Sequence, residues 1–162
     1  MKSIILAAGY ATRLYPLTQN FPKPLLKIGS SSILDRLIDD IDKFNEINEH
    51  IIISNHKFIE HFNNWKNTRN FLKKVTVIDD GSTDNENRLG AVKDIYFAIE
   101  KCKVDEEILV LAGDNLLDFS LKKFVEYQKI KKTACIMRHF ETERSKLQKT
   151  GVAVIDDAER VI

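Results

Sequence analysis

Apolar residues along this chain fall into two rhythms. Short β-branched runs ended by small or acidic residues predict strands at Lys2–Ala7, His50–Ser54, Lys74–Ile78 and Glu107–Ala112. Similar runs at Thr133–His139 and Gly151–Ile155 predict two more. Elsewhere the repeat lengthens to helical spacing. Ile33, Leu34, Leu37, Ile38, Ile41 and Phe44 share one helix face, opened by Ser32-Ile33-Leu34-Asp35 as a capping box with Asp in place of the usual Glu. A polar, aromatic-studded helix is predicted from about Phe58 to Phe71. Others are predicted over Leu89–Lys101 and Ser120–Lys131, the last with Ser120 as its cap.

Strands alternating with helices predict an α/β fold whose largely parallel sheet is covered on both faces. One segment fits neither rhythm. Gly9 to about Lys27 carries all three prolines, Pro16, Pro22 and Pro24, and so resists helix and central strand alike. A loop that long inside a compact domain is usually functional. Ligands of such sheets bind beyond the carboxyl ends of the strands. Ala8-Gly9, Asp79-Asp80-Gly81 and Gly113-Asp114-Asn115 all fall at predicted strand ends.

Composition narrows the classes. A length of 162 residues predicts a single domain, and 43% hydrophobic with 30% charged residues is globular rather than disordered. Twenty-five Lys and Arg against 24 Asp and Glu leave a net charge of +1, which points to neither nucleic acid nor an acidic membrane as partner. Cys102 and Cys135 lack metal-ligand spacing and sit in apolar stretches, so reduced, buried thiols are expected. The apolar opening is too short for a signal peptide, and no stretch approaches the roughly 20 residues of a membrane span. A reducing cytoplasm fits this pattern.

The chemistry concentrates in Leu6-Ala7-Ala8-Gly9-Tyr10-Ala11-Thr12-Arg13-Leu14-Tyr15-Pro16-Leu17-Thr18. Its small residues let backbone N–H groups approach a ligand closely. Arg13 offers a planar fork of donors for phosphate oxygens, and Pro22-Lys23-Pro24 presents a second cation on a stiffened backbone. Two cations beside a triphosphate suit phosphoryl transfer, where positioning and charge stabilisation do most of the catalysis. The Gly-Lys-Ser/Thr of a Walker loop is absent, as are the further glycines of a dinucleotide fingerprint. Asp114, ending the apolar run Ile108–Ala112, is the carboxylate placed to hold a hard cation such as magnesium.

Leu6 to Thr18 together with Pro22-Lys23-Pro24-Leu25-Leu26 resembles the signature of the sugar-1-phosphate nucleotidyltransferases, the group containing glucose-1-phosphate thymidylyltransferases. Gly90-Ala91, Gly113-Asp114-Asn115 and Gly151-Val152 extend the resemblance over nearly the whole chain. It implies a Rossmann-like three-layer sandwich with a mostly parallel mixed sheet. It also implies transfer of a nucleoside monophosphate from an NTP to a sugar 1-phosphate, with release of pyrophosphate. On the matching positions, Leu6, Ala8 and Gly9 would line the nucleotide, and Thr12 and Arg13 its phosphates. Lys23 would bridge donor and acceptor phosphates, Asn85 would read the base, Gly90 would pack near it, and Asp114 would hold magnesium.

Two departures stand out. Ala11 replaces a glycine common in the family, which restricts the turn if a positive φ is needed. The family pattern also runs well beyond 162 residues, so a C-terminally truncated member is expected, without the later Glu-Lys-Pro-type sugar segment or a second metal-binding carboxylate. Asp118 is a secondary carboxylate that helix capping explains nearly as well. Asp79, Asp80 and Asp84 lack the ligand spacing of a calcium loop and read as solvated. His50, His56, His61 and His139 are scattered and receive no catalytic role. Phe58, Phe62, Trp65 and Phe71 are expected to cover the sheet. Two other readings stay open: a phosphocholine or other non-sugar acceptor, and a nucleotide-binding module without turnover. The base, the sugar and any homo-oligomer are left open.

Overall fold

The computed structural model describes residues Met1–Ile162. In chain order the elements are β1 (Lys2–Leu6), β2 (Lys27–Ile28), β3 (Ser31–Ser32), α1 (Ile33–Ile41), β4 (Glu49–Ser54), α2 (Ile59–Asn67), β5 (Lys74–Asp79), α3 (Ala91–Cys102), β6 (Ile108–Ala112), α4 (Lys122–Lys131) and α5 (Arg144–Leu147). Two compact units divide this series, Met1–Lys122 and Lys123–Ile162.

The first unit is built on an all-parallel sheet of order β5-β4-β1-β6. Parallel neighbours need a crossover between them, and α1, α2 and α3 supply the connections. Alternation along each strand sends Ile4, Ile51, Ile53 and Ile78 to one face, where they pack with Ala98 of α3 and with Ile95 and Ile99 beside it. Ile5 and Ile52 point to the opposite face and are fully buried. α1 buries Ile33, Leu34, Leu37, Ile38 and Ile41, the stripe that its sequence period marks. It stops at Ile41; Phe44, placed on the same stripe, is buried in the turn that follows. Phe58 and Phe62 are buried as expected. Trp65 instead packs beside Phe71 and Arg69 and donates its indole N–H to Asp35 at 2.8 Å.

Helix α1 begins as the sequence says it should. The Ser32 hydroxyl accepts the Asp35 N–H at 3.0 Å, and the Asp35 carboxylate accepts the Ser32 N–H at 2.7 Å. At the amino end of the sheet, Ser3 Oγ lies 2.7 Å from His50 Nδ1, and His50 Nε2 lies 3.1 Å from Asp42 Oδ1. Asp42 also accepts the N–H groups of Leu72 and Lys73. Burial pushes the His50 imidazole below its ordinary pKa, against the pull of Asp42. Ser3 and His50 are wholly shielded from solvent, so this Ser-His-Asp chain is a structural relay, with no route for a substrate.

In the second unit the two strands expected at Thr133–His139 and Gly151–Ile155 do not form. A strand exists only through its ladder, and the one pairing here is an isolated antiparallel bridge between Ile155 and Val161. Ile136, Met137, Phe140, Val152 and Val154 accordingly stand exposed. Cys102 and Cys135 are free thiols, half-buried where full burial was expected. No helix is long and apolar enough to cross a membrane.

Replacing Ser32 by Ala removes one bond of the capping box and is expected to lower unfolding free energy by about 1 kcal/mol. Urea denaturation with an unchanged slope and a lower midpoint is the expected result; an unchanged midpoint would show that the box does not hold this helix.

Candidate functional site

Strand order makes one place on the sheet special. From β1 the chain winds outward through β4 to β5, then reverses and places β6 on the other side of β1. The two loops that leave the carboxyl ends of β1 and β6 therefore diverge and open a crevice there. Register brings those ends level, with Leu6 paired to Ala112. The Gly113 N–H continues the ladder to the Leu6 carbonyl at 2.9 Å. A Cβ on Gly113 would lie 3.1 Å from both the Leu6 oxygen and Ile5 Cγ2, tighter than most such contacts, so a side chain here would make its neighbours give way.

The loop leaving β1 is held from three sides. Asn55, fully buried at the end of β4, donates its side-chain N–H to the Ala8 carbonyl at 2.9 Å, and its own oxygen accepts the Phe58 N–H. The Tyr10 hydroxyl donates to the Ser82 carbonyl at 2.9 Å, tying the loop to the one after β5. Thr18, with no exposed surface, donates to the Ala11 carbonyl at 2.8 Å and closes the loop on itself. Ala11 sits at φ 48° and ψ 42°, the left-handed conformation that a glycine would take at less cost. The departure noted in the sequence thus falls at a position of positive φ.

A short turn, Thr12–Leu14, follows. Arg13 within it is exposed, and its guanidinium bonds no group of the protein. Lys23 is presented differently. It opens a second short turn, Lys23–Leu25, between Pro22 and Pro24, both buried. From that anchored base its ammonium reaches Asp114 Oδ2 at 2.8 Å across a sequence separation of 91 residues. The side chains keep 31% and 43% of their surface exposed, so the pair adds about 1 kcal/mol or less to stability. A pair that weak exchanges partners readily.

The remaining sequence candidates lie in the neighbouring loops. Leu6 ends β1 and is partly buried, Ala8 is buried, and Gly9 is exposed, with no atom within 4 Å of where a Cβ would stand. Thr12 is exposed in its turn. Asn85 lies in the exposed loop after β5, its side-chain oxygen accepting from Arg88 at 3.0 Å. Gly90 caps α3 at φ 86° and ψ 156°, a region essentially reserved for glycine. Asp118 lines a cavity of about 260 Å³ with Arg36, Asp40, Asn115, Phe119 and Ser120, and Ser120 accepts the Lys122 N–H, a weaker cap than expected because α4 starts two residues late. Of the histidines, His56 pairs with Asp79 at 2.6 Å and His61 stacks edge-on against Phe21.

Geometry therefore unites Lys23 with Asp114 and ties Ala8, Tyr10 and Ala11 into one braced loop beside them. Sequence reasoning overlooked Asn55, Thr18 and the Tyr10–Ser82 bond. Asn55 carried a usable signal, since it immediately follows a predicted buried strand as Ala8-Gly9 does.

The family described as nucleotidyl transferase matches residues 2–162. The bifunctional protein GlmU of Methanocaldococcus jannaschii is 28% identical over 100% of this chain and 35% of its own length. UTP–glucose-1-phosphate uridylyltransferase of Synechocystis is 23% identical over 100% of this chain and 43% of its own. Among solved structures, CTP:phosphocholine cytidylyltransferase (LicC) of Streptococcus pneumoniae superposes with a TM-score of 0.57 at 28% identity, covering 74% of this chain and 47% of that one. The chain thus spans about a third of the length of the archaeal relative it matches from end to end.

Changing Gly113 to Ala forces a Cβ against the Leu6 carbonyl, and overpacking of this kind costs about 1–3 kcal/mol. Changing Gly9 to Ala meets no atom and is expected to leave the unfolding free energy within about 0.5 kcal/mol of the parent. Equal effects from the two substitutions in chemical denaturation would contradict this geometry.

Proposed function

This chain belongs to the nucleotidyl transferase family, and from that premise we propose that it carries the nucleotide-handling part of an enzyme that transfers a nucleoside monophosphate from an NTP to a sugar 1-phosphate. The observation that carries the reading is the contact between Lys23 and Asp114 beside the braced loop at the crevice between β1 and β6. Ala8 and Gly9 offer backbone to the nucleotide, and open space at Gly9 leaves room for it. Leu6 borders the same space. Thr12 and Arg13 take the phosphates, Arg13 being a cation with no partner inside the protein. Asn85 reads the base through its amide, and Gly90 permits close approach of the base to the start of α3.

Lys23 is the group that changes partner. Its ammonium leaves Asp114 for the phosphates of donor and acceptor, screening their mutual repulsion as they meet. An oxygen of the acceptor phosphate attacks the α-phosphorus in line, the bond from that phosphorus to the β-phosphate oxygen breaks, and pyrophosphate departs with the electron pair. No protein nucleophile is required. Asp114, released from Lys23, suits magnesium: the ion commonly takes one or two carboxylates and completes its shell with substrate phosphates and water. No cluster of three or more acidic, histidine or cysteine side chains is present here, so Asp114 would hold the ion together with other ligands, substrate phosphate among them. When bound, magnesium neutralises charge on the phosphates.

Free thiols at Cys102 and Cys135 suit action in the cytoplasm. Likeness to the phosphocholine enzyme favours a second acceptor class. A choline headgroup calls for converging aromatic rings, and the cavity beside Asn115–Ser120 offers only Phe119. The relative named for glucose 1-phosphate supports a sugar phosphate as the first reading.

Pyrophosphate release is measured for the full-length protein containing this chain, with each NTP and a panel of sugar 1-phosphates and phosphocholine. Lys23→Ala is expected to reduce kcat/KM at least about a hundredfold, the scale of losing one preorganised charge contact. Undiminished turnover would remove Lys23 from the mechanism, and NTP binding with no turnover on any acceptor would favour a non-catalytic module.

A further inference from the structure

Two acidic side chains that the proposed chemistry does not use lie buried at the carboxyl end of β5 and in the first turn of α3. Asp80, expected to be solvated, instead lies buried after β5 at 9% exposure; Asp94 stands in the first turn of α3 and is 6% exposed. Asp80 Oδ1 is fully occupied, accepting the N–H and the hydroxyl of Ser82, each at 2.7 Å. Asp80 Oδ2 and Asp94 Oδ1 are both buried without a partner when each carboxyl is charged. Asp80 acts on Asp94 by its charge and as a hydrogen-bond acceptor for the protonated carboxyl. One proton held between the two carboxyls would relieve them together, whereas two buried carboxylates acting on each other cannot both ionise without repulsion.

The pair is wired to the loop that leaves β1. Asp80 fixes Ser82, whose carbonyl accepts the Tyr10 hydroxyl at 2.9 Å and the His56 N–H at 2.8 Å. The Asp80 N–H is itself held by the Ser54 carbonyl, and the Asp94 N–H by that of Gly90. We propose that Asp80 and Asp94 are positioning residues that share a proton as a clasp, seating the loop of Ala8 to Leu14 through Ser82 and Tyr10. The relevance to catalysis rests on the transferase reading; the clasp itself does not.

Burial first, then the charge of Asp80 and its hydrogen bond, push the Asp94 carboxyl from its ordinary 3.8 up to about 6. No lysine or arginine is among the groups acting on it. The Tyr10 phenol faces Asp80, Asp84 and Asp79, and Asp79 in turn holds His56. A carboxyl with a higher pKa folded than unfolded takes up a proton on folding. Its stabilisation is therefore full below about pH 4 and is lost as pH rises through about 6.

The test uses the whole chain without nucleotide, so its failure is separate from that of the transferase reading. Thermal unfolding is followed from pH 4.5 to 8, with amide hydrogen exchange of residues 8–14, for the parent, Asp94→Asn and Tyr10→Phe. Because each variant is compared with the parent at the same pH, the intrinsic pH dependence of exchange cancels. Relative to Asp94→Asn, the parent is expected to lose about tenfold of its loop protection between pH 5 and 7.5, one pKa unit being a factor of ten. Its Tm is expected to fall over the same range by several degrees more than that of the variant. Tyr10→Phe keeps the Tm profile but loses the pH dependence of loop protection. Matching pH profiles for the parent and Asp94→Asn would overturn the shared proton. A loop in Tyr10→Phe that still follows pH would overturn transmission through Tyr10. Should Asp94→Asn not fold, carboxyl carbon NMR of the parent decides: a buried Asp titrating near 6 is expected, and both titrating near 4 would refute the clasp.

Discussion

Everything at the candidate site depends on β1 being paired on both sides, to β4 and to β6, in one parallel register. Because all three strands run the same way, their carboxyl ends finish at one edge, and the loops carrying Ala8-Gly9, Asn55 and Gly113-Asp114 leave side by side. The reversal of winding across β1 then opens the crevice between two of those loops. Antiparallel pairing at either flank would send one of these loops to the other end of the sheet. The glycine at 113 is the local condition for this arrangement, since any side chain there would meet the Leu6 carbonyl.

The two ends of the sheet are finished in opposite ways. At the amino end charges are satisfied internally. Burial works to raise the Glu49 pKa, but bonds from Lys74, Thr76 and Lys2 outweigh it and hold the carboxyl down to about 2. The Ser3–His50–Asp42 chain is closed off beside it. At the carboxyl end, beside the crevice, the charges are exposed and loosely committed: Arg13 has no internal partner, and Lys23 and Asp114 share one weak contact, while Asp80 is buried after β5. Polar groups saturated at one end of a sheet and available at the other are the arrangement expected of a protein whose ligand supplies the missing countercharge.

Much of this was legible beforehand. Strand and helix periods located all four strands of the main sheet, and the capping box at Ser32 holds bond for bond. The proline-rich loop stands out because its residues fit no regular element, and its strand-end position follows from the same pattern. What the sequence could not reveal depends on distance through space. Ser82 meets Tyr10, Asp94 meets Asp80, and Asn55 meets Ala8 only after the strands have been ordered. The strands expected beyond Lys131 failed for a related reason: apolar alternation marks a segment able to pair but says nothing about a neighbour.

The central claim is that a polyphosphate and its metal sit at the carboxyl edge of the sheet, between the loop after β1 and Asp114. Paramagnetic broadening tests it most directly, with manganese in place of magnesium, each common NTP in turn, and the isotope-labelled chain. Signals of Gly9, Thr12, Lys23 and Asp114 should disappear first, while those of Lys2, Glu49 and His50 stay sharp. Broadening centred on the amino edge of the sheet, or none with any NTP, would contradict the account.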